Sequence, residues 1–376
     1  MRRSVGRTSA AVVSVITTFA VSSGVLAACG SDDNRAASTA AVSGMPAGAV
    51  PCGGKAALTA EGSTAQQNAI ALFNRLWGQS CPGKNVSYNP TGSGAGRAQF
   101  VAGHVDFAGS ETPLAADQLA LAANRCHGNP AWDLPLVFGP IALVYNLPNV
   151  ATLVVNSDVL AKIFTGAITS WSDPMLVALN PGVALPDTRI MPIYRTDSAG
   201  TTDNLQRYLT ADAPQSWTKG TGTEFQGGFG EGAVKSAGVT QAVHATPGAI
   251  GYVEKGFADQ AHLPFARIDT GSGGVPLTED TTSNAVGLVN FVAGGNDLVL
   301  DLNAVYSSRD PHVYPLVTAT YELVCSAGYD PDTSAAMQSF LSVATNNGQT
   351  DVASVGYIPL PDKVKGRLVS AINAMR

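Results

Sequence analysis

Strand-like and helix-like segments alternate from about Cys52 to the C-terminus, and this alternation limits the fold more than any other feature. A strand-like run at residues 55–60 is followed by apolar side chains at helical spacing, which predicts a helix over residues 65–78. The chain has 376 residues, enough for two domains, and its 45% hydrophobic content can supply a packed core. The pattern therefore predicts an α/β fold.

The other predicted elements continue the alternation and include no second apolar run long enough to cross a membrane. Any transport across a membrane must therefore be carried out by other chains. The predicted strands are 85–88, 105–108, 249–253 and 314–325, with a long apolar stretch at 134–145, and the predicted helices are 203–209, 335–343 and 364–374.

The N-terminus has the composition of an export signal. Three arginines precede an uncharged apolar run from Ala10 to Leu26, and small residues lead to Cys29. An uncleaved membrane helix is the alternative, because the run approaches the spanning minimum of about 17 residues. The sequence Leu-Ala-Ala-Cys resembles a bacterial lipobox, so we expect a lipoprotein signal peptide at 1–28 and lipidation at Cys29. A plain secreted protein, cut near Ala28, remains the second alternative.

A flexible tether is predicted for residues 29–51, which are rich in Ala, Ser and Gly. The net charge of the whole chain is −6, and because residues 1–28 hold three arginines and no acid, their removal leaves −9. An acidic exported protein is a poor candidate for nucleic-acid binding, which depends on neutralising phosphates. Any anion site must therefore be local and built from backbone and side-chain dipoles.

Four cysteines remain once Cys29 is assigned to the lipid. An even set in an oxidising compartment favours two disulfides, for which three pairings are open. Zinc is the competing interpretation, but the only close Cys/His pair is Cys126-His127, which does not have finger spacing. We therefore expect no metal and no other cofactor. The disulfide candidates are Cys52, Cys81, Cys126 and Cys325.

Three clusters of small polar residues stand at predicted strand-to-helix junctions: 62–64 (Gly-Ser-Thr), 91–96 (Thr-Gly-Ser-Gly-Ala-Gly) and 195–202 (Arg-Thr-Asp-Ser-Ala-Gly-Thr-Thr). Each supplies hydroxyls and free N–H groups beside a helix start, as an oxyanion site requires. Arg195 adds a planar cation that can bind two oxygens at once. Singly, each cluster has an ordinary explanation: a helix cap, a tight loop, or a surface ion pair between Arg195 and Asp197.

Taken in order, these clusters resemble the phosphate-binding proteins of bacterial ABC transporters. The resemblance extends from about Leu58 to the C-terminus, and the lipobox with four further cysteines suits the actinobacterial lipoprotein branch. Its motifs are 62–64, 92–96 followed by Gln99, 106–114 (Asp-Phe-Ala-Gly-Ser-Glu-Thr-Pro-Leu), Arg195-x-Asp-x-x-Gly-Thr at 195–201, 163–186, 247–253 (Pro-Gly-Ala-Ile-Gly-Tyr-Val) and 356–359 (Gly-Tyr-Ile-Pro).

The resemblance implies a two-domain periplasmic-binding-protein fold of class II type, with the ligand cleft between the domains. One domain would be discontinuous, comprising residues 52–145 and 314–376, and the other would comprise residues 146–313. Partners would be inorganic phosphate and the permease and ATPase subunits on other chains. The protein would be a monomer, held to the extracytoplasmic face of the membrane by its lipid.

The resemblance also assigns the ligand contacts. Hydroxyl and backbone donors would come from all three helix starts, and Arg195 would bind phosphate oxygens while Asp197 holds it in place. The residues implied to form the phosphate site are Ser63, Thr64, Ala65, Ser93, Glu111, Arg195, Asp197, Ser198, Gly200 and Thr201.

Three positions depart from the family pattern. Glu111 stands where the family usually has Asp, the acceptor of the proton that phosphate retains, so the pocket or the ligand must adjust by one methylene. Ala199 stands where Ser is usual, and the lost hydrogen bond to a charged ligand is worth about 1.5–3 kcal/mol, or roughly 10- to 100-fold in affinity. Ser198, which replaces a usual Gly, is a candidate to compensate.

Two alternatives to phosphate delivery stay open. The same fold could bind another oxyanion, or the protein could act as a phosphate sensor. An exported phosphatase is more remote, because the five histidines form no metal-ligand spacing and no Gly-x-Ser-x-Gly elbow surrounds the serines of the three clusters. We therefore expect a binding protein and not an enzyme.

Overall fold

A computed structural model describes residues 51–376 of the chain. The predicted signal peptide 1–28, the lipidated Cys29 and the tether up to residue 50 lie outside the described residues. Within residues 51–376, no helix is long and apolar enough to cross a membrane.

The strands and helices alternate as the sequence indicates. The strands are β1 Ala57–Gly62, β2 Asn85–Pro90, β3 Phe107–Ser110, β4 Ala131–Tyr145, β5 Val154–Val155, β6 Met191–Arg195, β7 Glu231–Ala233, β8 Ala249–Glu254, β9 Arg267–Asp269, β10 Gly274–Val275, β11 Asn290–Phe291, β12 Leu300–Asp301 and β13 Val317–Cys325. The helices are α1 Gln67–Ser80, α2 Ser93–Val101, α3 Ala116–Arg125, α4 Ser157–Phe164, α5 Pro174–Leu179, α6 Gly200–Asp212, α7 Lys235–Ala245, α8 Lys255–Gln260, α9 Glu279–Gly287, α10 Asn303–Tyr306, α11 Pro331–Thr345, α12 Asn347–Asp351 and α13 Asp362–Ala374, with a 3₁₀ turn at Val352–Val355.

Eight strands form one mixed sheet in the order β2-β1-β3-β13-β4-β8-β6-β7. At one end β1 is parallel to both β2 and β3, and at the other end β6 is parallel to both β7 and β8. Between these parallel groups, β13 and β4 run antiparallel to their neighbours. The sheet thus contains two sets of parallel strands joined by a central antiparallel pair.

The long strand β4 changes partner along its length. Residues 131–140 pair with β13, whereas residues 141–145 pair with β8. Two prolines, which lack a backbone N–H, fall where this pairing is irregular: Pro135 lies opposite the register shift at Thr320/Tyr321, and Pro140 is the last residue paired with β13. The apolar stretch predicted at 134–145 is therefore a strand despite its prolines.

Two disulfides join the predicted cysteines. Cys52 pairs with Cys81 at the end of α1, and Cys126 at the end of α3 pairs with Cys325 at the end of β13. The expectation of two disulfides is confirmed, and the structure selects one pairing of the three. Apolar side chains from the strands and from the helices and loops that cover them form a continuous core around the sheet, which includes Trp77 of α1, Phe138 of β4 and Trp171.

Candidate functional site

The carboxyl ends of β1, β2 and β3 meet at one edge of the sheet. In register, Gly62 at the end of β1 lies beside Pro90 of β2 and Gly109 of β3. Because strands in register end together, the residues that follow them also gather at this edge. Three side chains from these junctions come together there: Ser63, Ser93 and Glu111.

The second parallel group contributes from the carboxyl ends of β6, β7 and β8. Arg195 ends β6 in register with Ala233, which ends β7. Ser236 follows in the first turn of α7, and Glu254 ends β8 immediately before α8. The three polar side chains of this group are buried, with Ser236 at 0%, Glu254 at 1% and Arg195 at 2% exposure.

The Glu111 carboxyl group lies at the centre of the site, within hydrogen-bond distance of three hydroxyls. Ser63 Oγ donates to Oε1 at 2.7 Å, and Ser93 Oγ donates to the same oxygen at 3.1 Å. Thr201 Oγ1, from the first turn of α6, lies 2.7 Å from Oε2. Three of the hydroxyls that the sequence assigns to an anion are therefore gathered around the Glu111 carboxylate.

Thr201 also contacts a second buried carboxyl group. Its Oγ1 lies 2.6 Å from Glu254 Oε1, so one hydroxyl touches both glutamates. The other oxygen of Glu254, Oε2, is buried without a hydrogen-bond partner among residues 51–376. The site thus holds two acidic groups on either side of a single hydroxyl.

Arg195 is held from one side by Asp197. Its Nε donates to Asp197 Oδ1 at 2.7 Å, and its Nη2 donates to Oδ2 of the same carboxylate. Burial alone would raise the pKa of Asp197, but the hydrogen bonds and charge of Arg195 outweigh it and lower that pKa. This two-point contact fixes the plane of the guanidinium and turns its remaining edge towards the site.

That remaining edge of Arg195 connects to the first helix junction through Ser236. Nη1 of Arg195 donates to Ser236 Oγ at 3.3 Å, and Ser236 Oγ lies 2.8 Å from Thr64 Oγ1. Thr64 precedes α1, so hydroxyls at the starts of α1 and α7 lie together beside the buried cation. Dipole ends, hydroxyls and a fixed guanidinium are the groups that bind an oxyanion.

The electrostatics of Glu111 reflect this crowding. Burial raises the pKa of its carboxyl group, and the nearby Glu254 raises it further, so that it reaches about 7. Hydrogen bonds from Ser63 and Thr201, and the charge of Arg195, act in the opposite direction but do not cancel the rise. The Glu111 group therefore changes its charge near neutral pH.

Two glycines make the close packing of the junctions possible. A Cβ atom on Gly200 would lie 2.3 Å from Glu111 Cβ and 2.8 Å from Ser93 Oγ. A Cβ on Gly94 would lie 2.0 Å from Ser198 Oγ. The start of α6 therefore contacts the start of α2 closely only because both positions lack a side chain.

The remaining site residues predicted from the sequence lie in the same region but have local partners. The backbone N–H of Ala65 donates to Ser63 Oγ at 3.0 Å. Ser198 Oγ donates to Thr223 Oγ1 at 2.7 Å, and Ala199 N donates to Thr223 O at 2.9 Å. The hydroxyl of Ser198, considered above as a substitute for the missing serine hydroxyl at Ala199, is thus hydrogen-bonded to Thr223.

Sequence reasoning missed Glu254 and Ser236. The motif 247–253 ends one residue before Glu254, and a charged residue directly after a buried strand marks the edge where ligands bind in α/β sheets, so this signal was present. Ser236 had no such signal, because β7 is only three residues long and lacks an apolar run.

A cavity of about 680 Å³ adjoins the site at Glu111. Its walls combine apolar residues such as Leu302 with charged residues such as Asp203 and Arg207. Thr112 Oγ1 donates to Asp203 Oδ2 at 2.9 Å, which ties the segment after β3 to α6 along one wall. Among residues 51–376, no group of three or more His, Cys, Asp or Glu side chains is placed to hold a metal ion.

Residues 35–347 match the PBP superfamily domain. Over 353 residues the chain is 46% identical to the phosphate-binding protein PstS 3 of Mycobacterium tuberculosis strain H37Rv, covering 93% of this chain and 95% of that protein. It is 43% identical to PstS 3 of Mycobacterium leprae with the same coverage. A more distant relative, the phosphate-binding protein PstS of Pasteurella multocida, is 30% identical over 75% of this chain and 80% of that protein.

Solved structures share the fold at lower identity. A phosphate-binding protein from Stenotrophomonas maltophilia superimposes with a TM-score of 0.64 at 18% identity, covering 84% of this chain and 94% of that one. The high-affinity periplasmic phosphate-binding protein PfluDING, determined with phosphate bound, gives 0.66 at 21% identity, with 83% and 93% coverage. These likenesses confirm the α/β periplasmic-binding-protein fold expected from the sequence.

Proposed function

Because the chain belongs to the PBP superfamily and, within it, to the family of PstS phosphate-binding proteins, we propose that it binds inorganic phosphate outside the cytoplasm and delivers it to an ABC-type permease. The relatives described above are all named as binding proteins, in agreement with the expectation that this chain is not an enzyme. Import itself would be carried out by permease and ATPase subunits on other chains.

The observation that carries this proposal is the environment of Arg195. The guanidinium is 2% exposed, is fixed by two contacts with Asp197, and faces hydroxyls at the starts of α1 and α7. Burying a cation costs free energy unless the charge is paired or hydrogen-bonded. Asp197 occupies only one side of the guanidinium and leaves the other edge for a ligand. A small tetrahedral oxyanion is the ligand whose charge and donor requirements suit that edge.

Isothermal titration calorimetry on the exported protein, purified in detergent, tests the proposal. We expect phosphate to bind more tightly than sulfate, since a carboxylate in the site can accept the proton that phosphate carries at neutral pH and sulfate lacks. Equal affinity for both anions would favour the alternative of a broader oxyanion site. No binding of phosphate would refute the proposed function.

The matched variants are Arg195→Ala and Arg195→Lys. Loss of two charge-assisted hydrogen bonds, each worth about 1.5–3 kcal/mol, predicts that Arg195→Ala weakens phosphate binding by roughly 100- to 10,000-fold. Arg195→Lys retains the charge but not the fork, so we expect an intermediate affinity. If Arg195→Ala binds phosphate as tightly as the wild type, Arg195 is not part of the site.

We propose further that the protein is a monomer held to the membrane by lipid on Cys29, with domains at 52–145 plus 314–376 and at 146–313. The partner change within β4, between residues 140 and 141, supports a domain boundary close to Tyr145. Replacing Cys29 with Ala should move the protein from the membrane fraction to the medium, whereas the control Ser31→Ala, two residues further along the chain, should leave it in the membrane fraction. Retention of Cys29→Ala in the membrane would argue against lipid anchoring.

A further inference from the structure

The Glu111–Thr201–Glu254 triad contains more acceptor groups than its one hydroxyl proton can serve. Thr201 Oγ1 lies 2.7 Å from Glu111 Oε2 and 2.6 Å from Glu254 Oε1. A threonine hydroxyl has a single proton, so it can donate to one carboxyl group only. The second short contact requires a proton on the other carboxyl group, which then donates to the threonine oxygen.

Burial points to the same conclusion. Glu254 is 1% exposed, and its Oε2 has no hydrogen-bond partner within residues 51–376. Two ionised carboxylates this close together in a buried site repel each other, whereas one proton between them removes that repulsion. The charge of Arg195 interacts with Glu254 electrostatically, but the hydrogen bonds of its guanidinium within residues 51–376 go to Asp197, from Nε and Nη2, and to Ser236, from Nη1.

We propose that Glu111 and Glu254 share one proton through Thr201, and that Glu254 thereby determines how phosphate affinity depends on pH. This inference rests on the proposed function for its binding measurement. It assigns a role to Glu254 as a positioning residue, which acts on the ligand through Thr201 and Glu111.

The surrounding charges do not remove the need for this proton. The pKa of Glu111 is raised to about 7, chiefly by burial and then by Glu254, even with Arg195 acting against the rise. Arg97 is a further buried cation that interacts electrostatically with Glu111. Other ionisable groups near the triad are Asp197, paired with Arg195, Asp203, paired with Arg207, Lys255, paired with Asp259, and the buried tyrosines Tyr88 and Tyr357.

The sign of the effect follows from linkage. With one proton in the triad, a single carboxylate remains to accept the proton of phosphate, whereas a second ionised carboxylate only repels the anion, so phosphate binding favours the singly protonated triad. As the pH rises above about 7 the shared proton dissociates, two carboxylates face the anion, and the affinity falls. Removing one acid by Glu254→Gln removes the repulsion that keeps the proton at Glu111, so this dependence should weaken.

The test is calorimetric titration of the full exported chain with inorganic phosphate from pH 5.5 to 8.5, for the wild type, Glu254→Gln and Glu322→Gln. Phosphate's own ionisation is common to all three proteins, so the ratio of their affinities isolates the proton held by the protein. Linkage to one proton predicts that the wild-type affinity falls relative to Glu254→Gln by up to about tenfold per pH unit above pH 7. Glu322 is buried in β13 and contacts Gln66 rather than Thr201, so Glu322→Gln should keep the wild-type dependence.

A constant affinity ratio between the wild type and Glu254→Gln across this range, with both proteins binding phosphate, would overturn the inference. If the wild type binds no phosphate, or Glu254→Gln does not fold, carboxyl ¹³C NMR of the ligand-free Glu322→Gln protein decides instead. A glutamate that keeps its proton above pH 6 supports the shared proton. Titration of every glutamate below pH 5 refutes it, whatever the result for phosphate binding.

Discussion

Adding a single methyl group at Gly200 should strongly disturb the candidate phosphate site. A methyl group there would lie 2.3 Å from Glu111 Cβ, 2.8 Å from Ser93 Oγ and 3.0 Å from Glu111 Cδ. Carbon atoms in contact normally lie about 3.5–4.0 Å apart, so the start of α6 must move by more than about 1 Å in Gly200→Ala. The adjacent Thr201 must move with it, because it is the next residue of the same helix.

The expected magnitude follows from the contacts that this movement lengthens. The 2.7 Å contact between Thr201 and Glu111 would become too long for a hydrogen bond, and donors at the start of α6 would retreat from an anion by the same distance. Loss of one hydrogen bond to a charged group costs about 1.5–3 kcal/mol, so we expect phosphate affinity to fall roughly 10- to 100-fold. Overpacking should also lower the free energy of unfolding by about 1–3 kcal/mol.

The matched control is Gly366→Ala in α13, where an added Cβ would meet nothing within 4 Å. Replacing this helical glycine should leave phosphate affinity unchanged and raise the free energy of unfolding by about 0.5–1 kcal/mol. Calorimetric titration with phosphate and urea denaturation on both variants give the two quantities. If Gly200→Ala binds phosphate with an affinity within about threefold of the wild type, the reasoning that the site requires close packing at Gly200 is refuted. The lost hydrogen bond predicts at least a tenfold change.

Three further predictions concern other parts of the molecule. The double variant Cys126→Ser/Cys325→Ser should lower the free energy of unfolding by about 2–5 kcal/mol in non-reducing buffer; an unchanged denaturation midpoint would contradict it. Burial raises the pKa of Glu322 to about 8 in the folded protein. The stability that the protonated Glu322 contributes is therefore fully present below the unfolded-state pKa of about 4.3 and is lost as the pH rises through 8. Glu322→Gln should therefore lose less unfolding free energy than the wild type between about pH 5 and pH 8, by up to about 1.4 kcal/mol per pH unit, and equal slopes in urea denaturation would be the contrary result. Glu111→Asp moves the carboxylate about 1.5 Å away from its hydroxyl donors, which leaves those donors free to bind phosphate. We therefore expect calorimetry to give a phosphate affinity about tenfold higher, and a lower affinity would show that the longer side chain is needed.

Each element predicted from local features of the sequence is present near its predicted position, but the structure also contains many short strands and helices that were not predicted. The helix predicted at 65–78 is α1 Gln67–Ser80, and the strand predicted at 249–253 is β8 Ala249–Glu254. Such predictions succeed because apolar periodicity and glycine-rich junctions depend on neighbours in the chain. The limits of an element depend on contacts made elsewhere, so they shift by a few residues.

The candidate site was partly predictable because several of its residues lie in local motifs of the sequence. Ser63, Ser93 and Arg195 stand at strand-to-helix junctions that can be recognised from the order of residues alone. Their assembly into one site depends on the register of two parallel groups, which brings the carboxyl ends of six strands to one region. Register is set by pairing between distant segments, and no local pattern encodes it.

The sequence by itself determined the alternating α/β pattern, the clusters of donors, the arginine with its acidic neighbour, and the even set of cysteines. Only the tertiary structure decided which cysteines pair, that Ser236 joins Thr64 to Arg195, and that Glu254 meets Glu111 across the hydroxyl of Thr201. The physical reason is distance along the chain. Glu111, Thr201 and Glu254 are far apart in sequence, and a shared proton depends on separations of about 3 Å, which arise only when the sheet and its helices are packed together.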